Sequence, residues 1–245
     1  MKRLVGPLLL GWLVLALGAA LSAPVAAKVA EQASVAAVAQ TKDSQAAITP
    51  AIALRMLEDG NARFTSGKMF ARDLRKQVAA TASGQYPFAS IVGCIDSRSS
   101  PELVFDQGIG DIFAARIAGN FVNDDILGSL EFASKLAGSK LILVLGHTEC
   151  GAVKGACDNA QLGNLTTALA KIKPAVDAVP DDGSPRNGKN PTFVQKVADM
   201  NVKLAVEQIR KKSPVLREME EKGEIAIVGA MLDIATGKVT FYDEK

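Results

Sequence analysis

Leu141-Ile142-Leu143-Val144-Leu145-Gly146-His147-Thr148-Glu149-Cys150 sets five consecutive aliphatic side chains directly before a histidine and a cysteine. A short apolar run of this length reads as a strand covered on both faces, as in a parallel sheet. A second run, Phe88-Ala89-Ser90-Ile91-Val92-Gly93, leads straight into Cys94-Ile95-Asp96-Ser97-Arg98. Each polar motif therefore stands at the carboxyl end of a predicted strand. Open parallel sheets form their sites there, where the strand order reverses. Gly93 and Gly146 stand just before the motifs, and their small size is expected to let the backbone turn tightly toward a ligand.

Around these strands the pattern is βαβ. Thr49-Pro50 is a helix start, with a hydroxyl N-cap and proline at the first helical position. Ile52, Met56 and Leu57 follow at helical spacing, Gly60 weakens the end, and Phe64 lies on the continuation. Ile112–Arg116 reads as a strand. Asp124–Ala137 reads as a helix with Leu127 and Leu130 inward and Gly138 as its stop. Helices are expected over 161–177 and 192–211, the second with Phe193, Val197, Met200 and Leu204 on one face. Pro180 to Pro191 is a surface loop, and Ser213-Pro214 starts a short helix. Ile225–Ile234 is a strand, and a turn at Thr236-Gly237 returns the chain through Val239–Tyr242. The expectation is an α/β fold: a mainly parallel central β-sheet flanked by helices, with an N-terminal helical arm and an antiparallel C-terminal edge strand.

The first residues read as a secretory signal over 1–27. Lys2 and Arg3 precede an apolar stretch, and Val25-Ala26-Ala27 resembles a cleavage site. An uncleaved anchor is the lesser alternative. Residues 28–47 read as a flexible or loosely helical lead-in, and 48–245 as one domain that carries both motifs. The expected location is periplasmic or secreted, with no membrane attachment after signal removal. The 28 basic residues less the two in the leader equal the 26 acidic ones, so nothing favours nucleic acid as partner.

His147 is the single histidine of 245 residues, and two of the three cysteines stand in the two motifs. Thiolate, imidazole and thiolate form a set that suits zinc, with a nearby carboxylate as a fourth donor. If a helical turn begins at His147, it and Cys150 project to one side, near a helix N-terminus. A structural zinc site, a Cys94–Cys150 disulfide and a coincidence of residues are the competing readings. Cys157 is left over and reads as a buried, inert thiol.

At these residues the chain resembles the β-class carbonic anhydrases. Their pattern is Cys-x-Asp-x-Arg followed by His-x-x-Cys, met here as Cys94-Ile95-Asp96-Ser97-Arg98 and Gly146-His147-Thr148-Glu149-Cys150-Gly151. Gly60-Asn61-Ala62-Arg63-Phe64 and Arg116-Ile117-Ala118-Gly119-Asn120 resemble further family segments, as do Ile227–Ala230 and Thr236–Val239. The resemblance spans roughly 50–243.

The resemblance implies one Zn2+ per chain on Cys94, His147 and Cys150. It implies reversible hydration of CO2 to bicarbonate and a proton by zinc-bound hydroxide. Asp96 and Arg98 form a catalytic dyad in which Asp96, paired with Arg98, accepts a hydrogen bond from the hydroxide; in a closed state Asp96 becomes the fourth ligand. Gln85, Phe113 and Ala118 match substrate-pocket positions. A homodimer or tetramer is implied. Family members with a bicarbonate-regulated site carry tryptophan where this chain has Ile91, so an open, Asp–Arg-paired state is expected. Two alternatives stay open: a hydrolase of carbonyl sulfide or carbon disulfide, and a non-catalytic zinc protein of the same fold.

Overall fold

The computed structural model describes residues 38–242. The expected signal at 1–27, and residues 28–37 of the lead-in, lie outside them. The elements in chain order are α1 (Lys42–Ala46), α2 (Pro50–Thr65), α3 (Leu74–Thr81), β1 (Ala89–Gly93), α4 (Pro101–Val104) and β2 (Ile112–Arg116). Helix α5 (Asp124–Glu131) follows and runs into one π-helical turn, Phe132–Leu136. Then come β3 (Leu141–His147), α6 (Gly151–Cys157), α7 (Gly163–Ala170), α8 (Lys173–Ala178), α9 (Pro191–Lys212), α10 (Pro214–Glu221), β4 (Ala226–Leu232) and β5 (Val239–Phe241).

The sheet order is β2-β1-β3-β4-β5, parallel throughout except for the antiparallel β4–β5 edge. The chain passes from β1 to β2 on one side and then crosses to β3 on the other. The carboxyl ends of β1 and β3 thus flank a topological switch point, where α/β sheets open a crevice.

Both faces of the sheet are covered at β1, β3 and β4, and β3 shows why its sequence does not alternate. Ile142 and Val144 point into one apolar cluster, built with Val153, Ile172, Val197, Val202 and Ile209. Leu141, Leu143 and Leu145 point into the other, with Leu57, Phe88, Val104 and Phe105. Successive strand side chains alternate faces, so a strand buried on both sides must be apolar throughout.

Caps set the helix starts. Thr49 accepts from the Ile52 amide, Asn123 from Ile126, Asn190 from Phe193 and Ser213 from Leu216. Each satisfies one of the orphan N–H groups of a first turn. Within the lead-in, α1 is closed by a capping box between Thr41 and Ser44. Its buried Gln45 donates from Nε2 to the carbonyls of Pro87 (2.7 Å) and Ala137 (2.8 Å). Residues 42–46 are thus fixed onto the sheet layer, and flexibility is not their character.

Three local expectations are corrected by packing. Gly60 does not weaken α2, which runs on to Thr65. A Cβ at Gly60 would stand 1.9 Å from the Phe105 carbonyl oxygen, so the glycine is there for close approach of α2 to that backbone. The single helix expected over 161–177 is two. The chain breaks at Lys171-Ile172 and restarts with Pro174 in the first turn of α8, where a missing N–H costs nothing. The end of the 124–137 helix widens into a π turn, closed by the Ala137 amide on the Phe132 carbonyl, before Gly138 stops it at φ +82°.

Candidate metal centre

Cys94 is the first residue beyond β1, and His147 is the last residue of β3. The β1–β3 register ends at Gly93↔Leu145, so the two ligand positions emerge side by side. His147 belongs to the strand rather than to a helical turn, which corrects the expectation for the His-x-x-Cys segment. The chain instead turns through Glu149, at φ +57°, and delivers Cys150 as the N-cap residue of α6. The Thr148 amide donates to Leu232 O (2.9 Å) and its hydroxyl accepts from the Ile234 amide (3.0 Å), so β4 holds this turn in place.

The donor atoms of Cys94, His147 and Cys150 lie within 4.8 Å of one another, and all three residues are buried. The two sulfurs are 4.0 Å apart. A disulfide needs about 2.05 Å, so that reading is set aside and all three cysteines are free. Two thiolates on one tetrahedral zinc, at bonds of about 2.3 Å, would stand about 3.8 Å apart, close to the observed separation.

The imidazole completes the fit. Nδ1 of His147 faces the Thr148 carbonyl at 2.8 Å. Nδ1 therefore carries the proton, and the lone pair is on Nε2. That Nε2 is buried and has no hydrogen-bond partner. A buried acceptor with no hydrogen-bond partner, within 4.8 Å of two cysteine sulfurs, is what a metal ligand looks like, because burying it without a partner is costly.

The electrostatics agree. The Cys150 thiol, His147 and the Gly119 and Asp96 amides draw the Cys94 thiol well below its usual range, against its burial. Cys150 is pushed up by the Cys94 sulfur and by burial. The two thiols are thus pulled in opposite directions by each other, and a dication beside them would favour the thiolate form of both. Burial disfavours a charged His147, but the neighbouring Cys94 sulfur outweighs this and raises its pKa. Cys157 is buried away from the pair and its thiol is pushed up to about 11 by that burial.

Asp96 and Arg98 meet beside the donors. Arg98 donates from Nε and Nη2 to the two Asp96 oxygens at 2.9 and 2.8 Å, and its amide adds a third bond at 3.0 Å. These bonds hold the Asp96 carboxyl far below the usual range. Its Oδ2 lies 3.9 Å from Nε2 of His147.

Several residues that serve the site were not singled out as site residues in the sequence. Arg116 donates to the carbonyls of Cys94 (2.9 Å) and Asp96 (2.6 Å), tying the first motif to the end of β2. The Ser99 hydroxyl donates to the Asp96 carbonyl at 2.9 Å. The Gly119 amide donates to the Cys94 sulfur at 3.3 Å, and Asn201 donates to the Gly119 carbonyl at 2.8 Å. Asn201 carried a signal: it stands four residues after Val197, on the apolar stripe of α9. The glycines before the motifs have other reasons. A Cβ at Gly146 would meet Val202 at 2.5 Å, so that glycine admits α9, whereas a Cβ at Gly93 meets nothing within 4 Å.

The pocket residues divide. Ala118 is half-buried next to Gly119 and so adjoins Cys94. Gln85 is exposed. Phe113 pairs with Ser90, four residues before Cys94, or about 13 Å along the strand. It lines a separate cavity of about 570 Å³ with Ile91, Leu130 and Phe132. Within one chain, Gln85 and Phe113 are not gathered with the metal donors.

The family model described as carbonic anhydrase matches residues 89–239. Carbonic anhydrase 2 of Mycobacterium tuberculosis is 33% identical over 200 residues, which cover 79% of this chain and 93% of that protein. A carbonic anhydrase of Mycolicibacterium smegmatis is 33% identical, covering 78% and 92%. Among solved structures, a β-carbonic anhydrase of Aspergillus fumigatus superposes with a TM-score of 0.59 at 26% identity, covering 79% of this chain and 90% of that one. A Coccomyxa β-carbonic anhydrase in complex with acetazolamide gives 0.61 at 26% identity, covering 68% and 76%.

Proposed function

The chain belongs to the β-class carbonic anhydrases, and we propose that it is a zinc enzyme converting CO2 and water reversibly to bicarbonate and a proton. The observation that carries this reading is the buried Cys94–His147–Cys150 group, its donors within 4.8 Å, with the Asp96–Arg98 pair at its edge. Zinc held by these three residues would supply a nucleophile at neutral pH by acidifying a water in its open position.

The chain's own residues do the rest. The Thr148 carbonyl fixes the His147 tautomer and so keeps Nε2 free to ligate. Arg98 keeps Asp96 ionised and turned from the donors, leaving its Oδ2 as an acceptor at the reacting position. Arginine suits this better than lysine, because its planar fork holds both carboxylate oxygens. Asp96 would then orient the attacking oxygen by accepting its hydrogen bond.

Gln85 and Phe113 enter the same reading as residues that a second copy would contribute. A likeness to the tetrameric β-carbonic anhydrases of Sordaria macrospora, at a TM-score of 0.58, is compatible with a homo-oligomer. Export to the periplasm or beyond rests on the Lys2-Arg3 and apolar N-terminal pattern; no helix among the described residues is long and apolar enough to cross a membrane.

The test is stopped-flow CO2 hydration by the purified protein with zinc content measured in parallel. Hydration far above background, lost on chelation and restored by zinc, is the expected result. Stoichiometric zinc without hydration would move the chain to a non-catalytic role. Faster turnover of carbonyl sulfide or carbon disulfide than of CO2 would move it to the related hydrolases.

A further inference from the structure

Helix α9 reaches the surroundings of both ligand-bearing strand ends through two consecutive residues, one against the end of β3 and one against the segment after β2 that bonds Cys94. Val202 packs on Gly146, the residue before His147. Asn201, only 4% exposed, donates from Nδ2 to the Gly119 carbonyl at 2.8 Å. The Gly119 amide in turn donates to the Cys94 sulfur at 3.3 Å.

A buried amide in the apolar stripe of a helix costs free energy unless its bonds are made. Here its partner is the carbonyl of a strained turn. Gly119 has φ +83° and Asn120 φ +43°. The turn is tied at its start by the Ile117 amide on Gly93 O (3.0 Å). It is closed by the Asn120 amide on Ile117 O (2.9 Å). The peptide between Gly119 and Asn120 is therefore held at both ends: its N–H by Ile117 and its C=O by Asn201. With that peptide fixed, the preceding N–H can point only where Gly119 aims it, at the Cys94 sulfur. Ile172 bars a side chain at Gly119, since a Cβ there would stand 2.4 Å from its Cδ1.

We propose that Asn201 is a positioning residue of the metal centre: by holding the Gly119 carbonyl it aims the Gly119 amide at the Cys94 sulfur and so sets the donor strength and the hold of that thiolate on the metal. The inference rests on Cys94 being a metal ligand. An N–H bond to a thiolate withdraws charge from sulfur and fixes its direction, the ordinary work of groups behind the ligands. Losing it leaves a more electron-rich, less constrained sulfur.

The experiment uses the whole protein, first loaded with zinc and then with cobalt(II) as a spectroscopic probe. N201L removes the donor at similar volume, and N201D keeps the shape but loses the Nδ2 donor. V206A, on the same helix against Gly229, is the packing control. Expected for both Asn201 variants are a sulfur-to-cobalt charge-transfer band at longer wavelength than wild type and zinc release to a chelating dye roughly 5–10-fold faster. V206A should lower the melting temperature with neither change. An unshifted band and wild-type release in either well-folded Asn201 variant would overturn the proposal and leave Asn201 a packing residue. Wild-type protein that takes up no zinc would instead overturn the metal reading beneath it.

Discussion

The carboxylate oxygen of Asp96 that bonds Nη2 of Arg98 at 2.8 Å is the same atom that lies 3.9 Å from Nε2 of His147. One oxygen thus faces both the guanidinium and the metal position, and Arg98 decides between them. Arg98→Ala frees Asp96 to occupy the open metal position. The expected loss in kcat/KM for CO2 hydration is about 100-fold, or about 2.7 kcal/mol, with zinc content unchanged. Arg98→Lys should fall between, because an ammonium replaces a two-bond fork by a point charge. An Arg98→Ala enzyme with wild-type kcat/KM would show that Asp96 needs no partner.

Proton removal gives the second prediction. His147 is the single histidine in the sequence, and its ring is engaged between Thr148 and the donor group. No free imidazole remains to carry protons outward. Turnover at saturating CO2 should therefore rise with added imidazole buffer and then saturate. Rates independent of buffer down to low millimolar concentration would point to an internal carrier.

A third prediction concerns the fold rather than the chemistry. Asp106 is fully buried and is bonded by Arg63, in α2, and by Arg72, just before α3. Asp106→Asn leaves a buried guanidinium without its counter-charge, a loss of about 3–5 kcal/mol. Urea denaturation should show that drop with zinc still bound in the folded fraction. A change below about 1 kcal/mol would mean that water reaches the pair.

The fourth is a pH dependence. The Tyr242 hydroxyl donates to Asp199 Oδ1 at 2.6 Å, and burial, then this bond, push its pKa up. A raised folded value means that the contribution is fully present below the unfolded pKa near 10 and is lost as pH rises beyond it. Wild-type stability should therefore decline above about pH 10. Tyr242→Phe should cost about 1–2 kcal/mol at neutral pH and show a shallower alkaline decline. Parallel curves for the two proteins would remove the tyrosine from that slope.

Much of this architecture was legible because the signals were local. Five aliphatics in a row specify a doubly covered strand, and Thr49-Pro50 and Ser213-Pro214 specify helix starts. The donor set was legible because Cys94 and His147 close predicted strands. What stayed hidden depended on partners distant in sequence. Gly60 reads as a helix end until Phe105 is placed against it, and Gly146 as a loop hinge until Val202 is. The break at Lys171-Ile172 needed Pro174 to be weighed as a first-turn residue rather than an interior one. Arg116 and Asn201 bond backbone carbonyls distant in sequence, and only the place of Asn201 on the apolar stripe of α9 hinted at such a bond.

The placement of Cys94 and His147 on neighbouring strands also bears on how the protein matures. The β1–β3 pairing runs from Ala89↔Leu141 to Gly93↔Leu145. A slip of one residue would carry Cys94 about 3.3 Å along the strand axis and turn alternate side chains to the opposite layer. The three donors would then no longer face a common point. A metal bound by these three residues would therefore favour the native register over a slipped one, because only the native pairing brings its donors together.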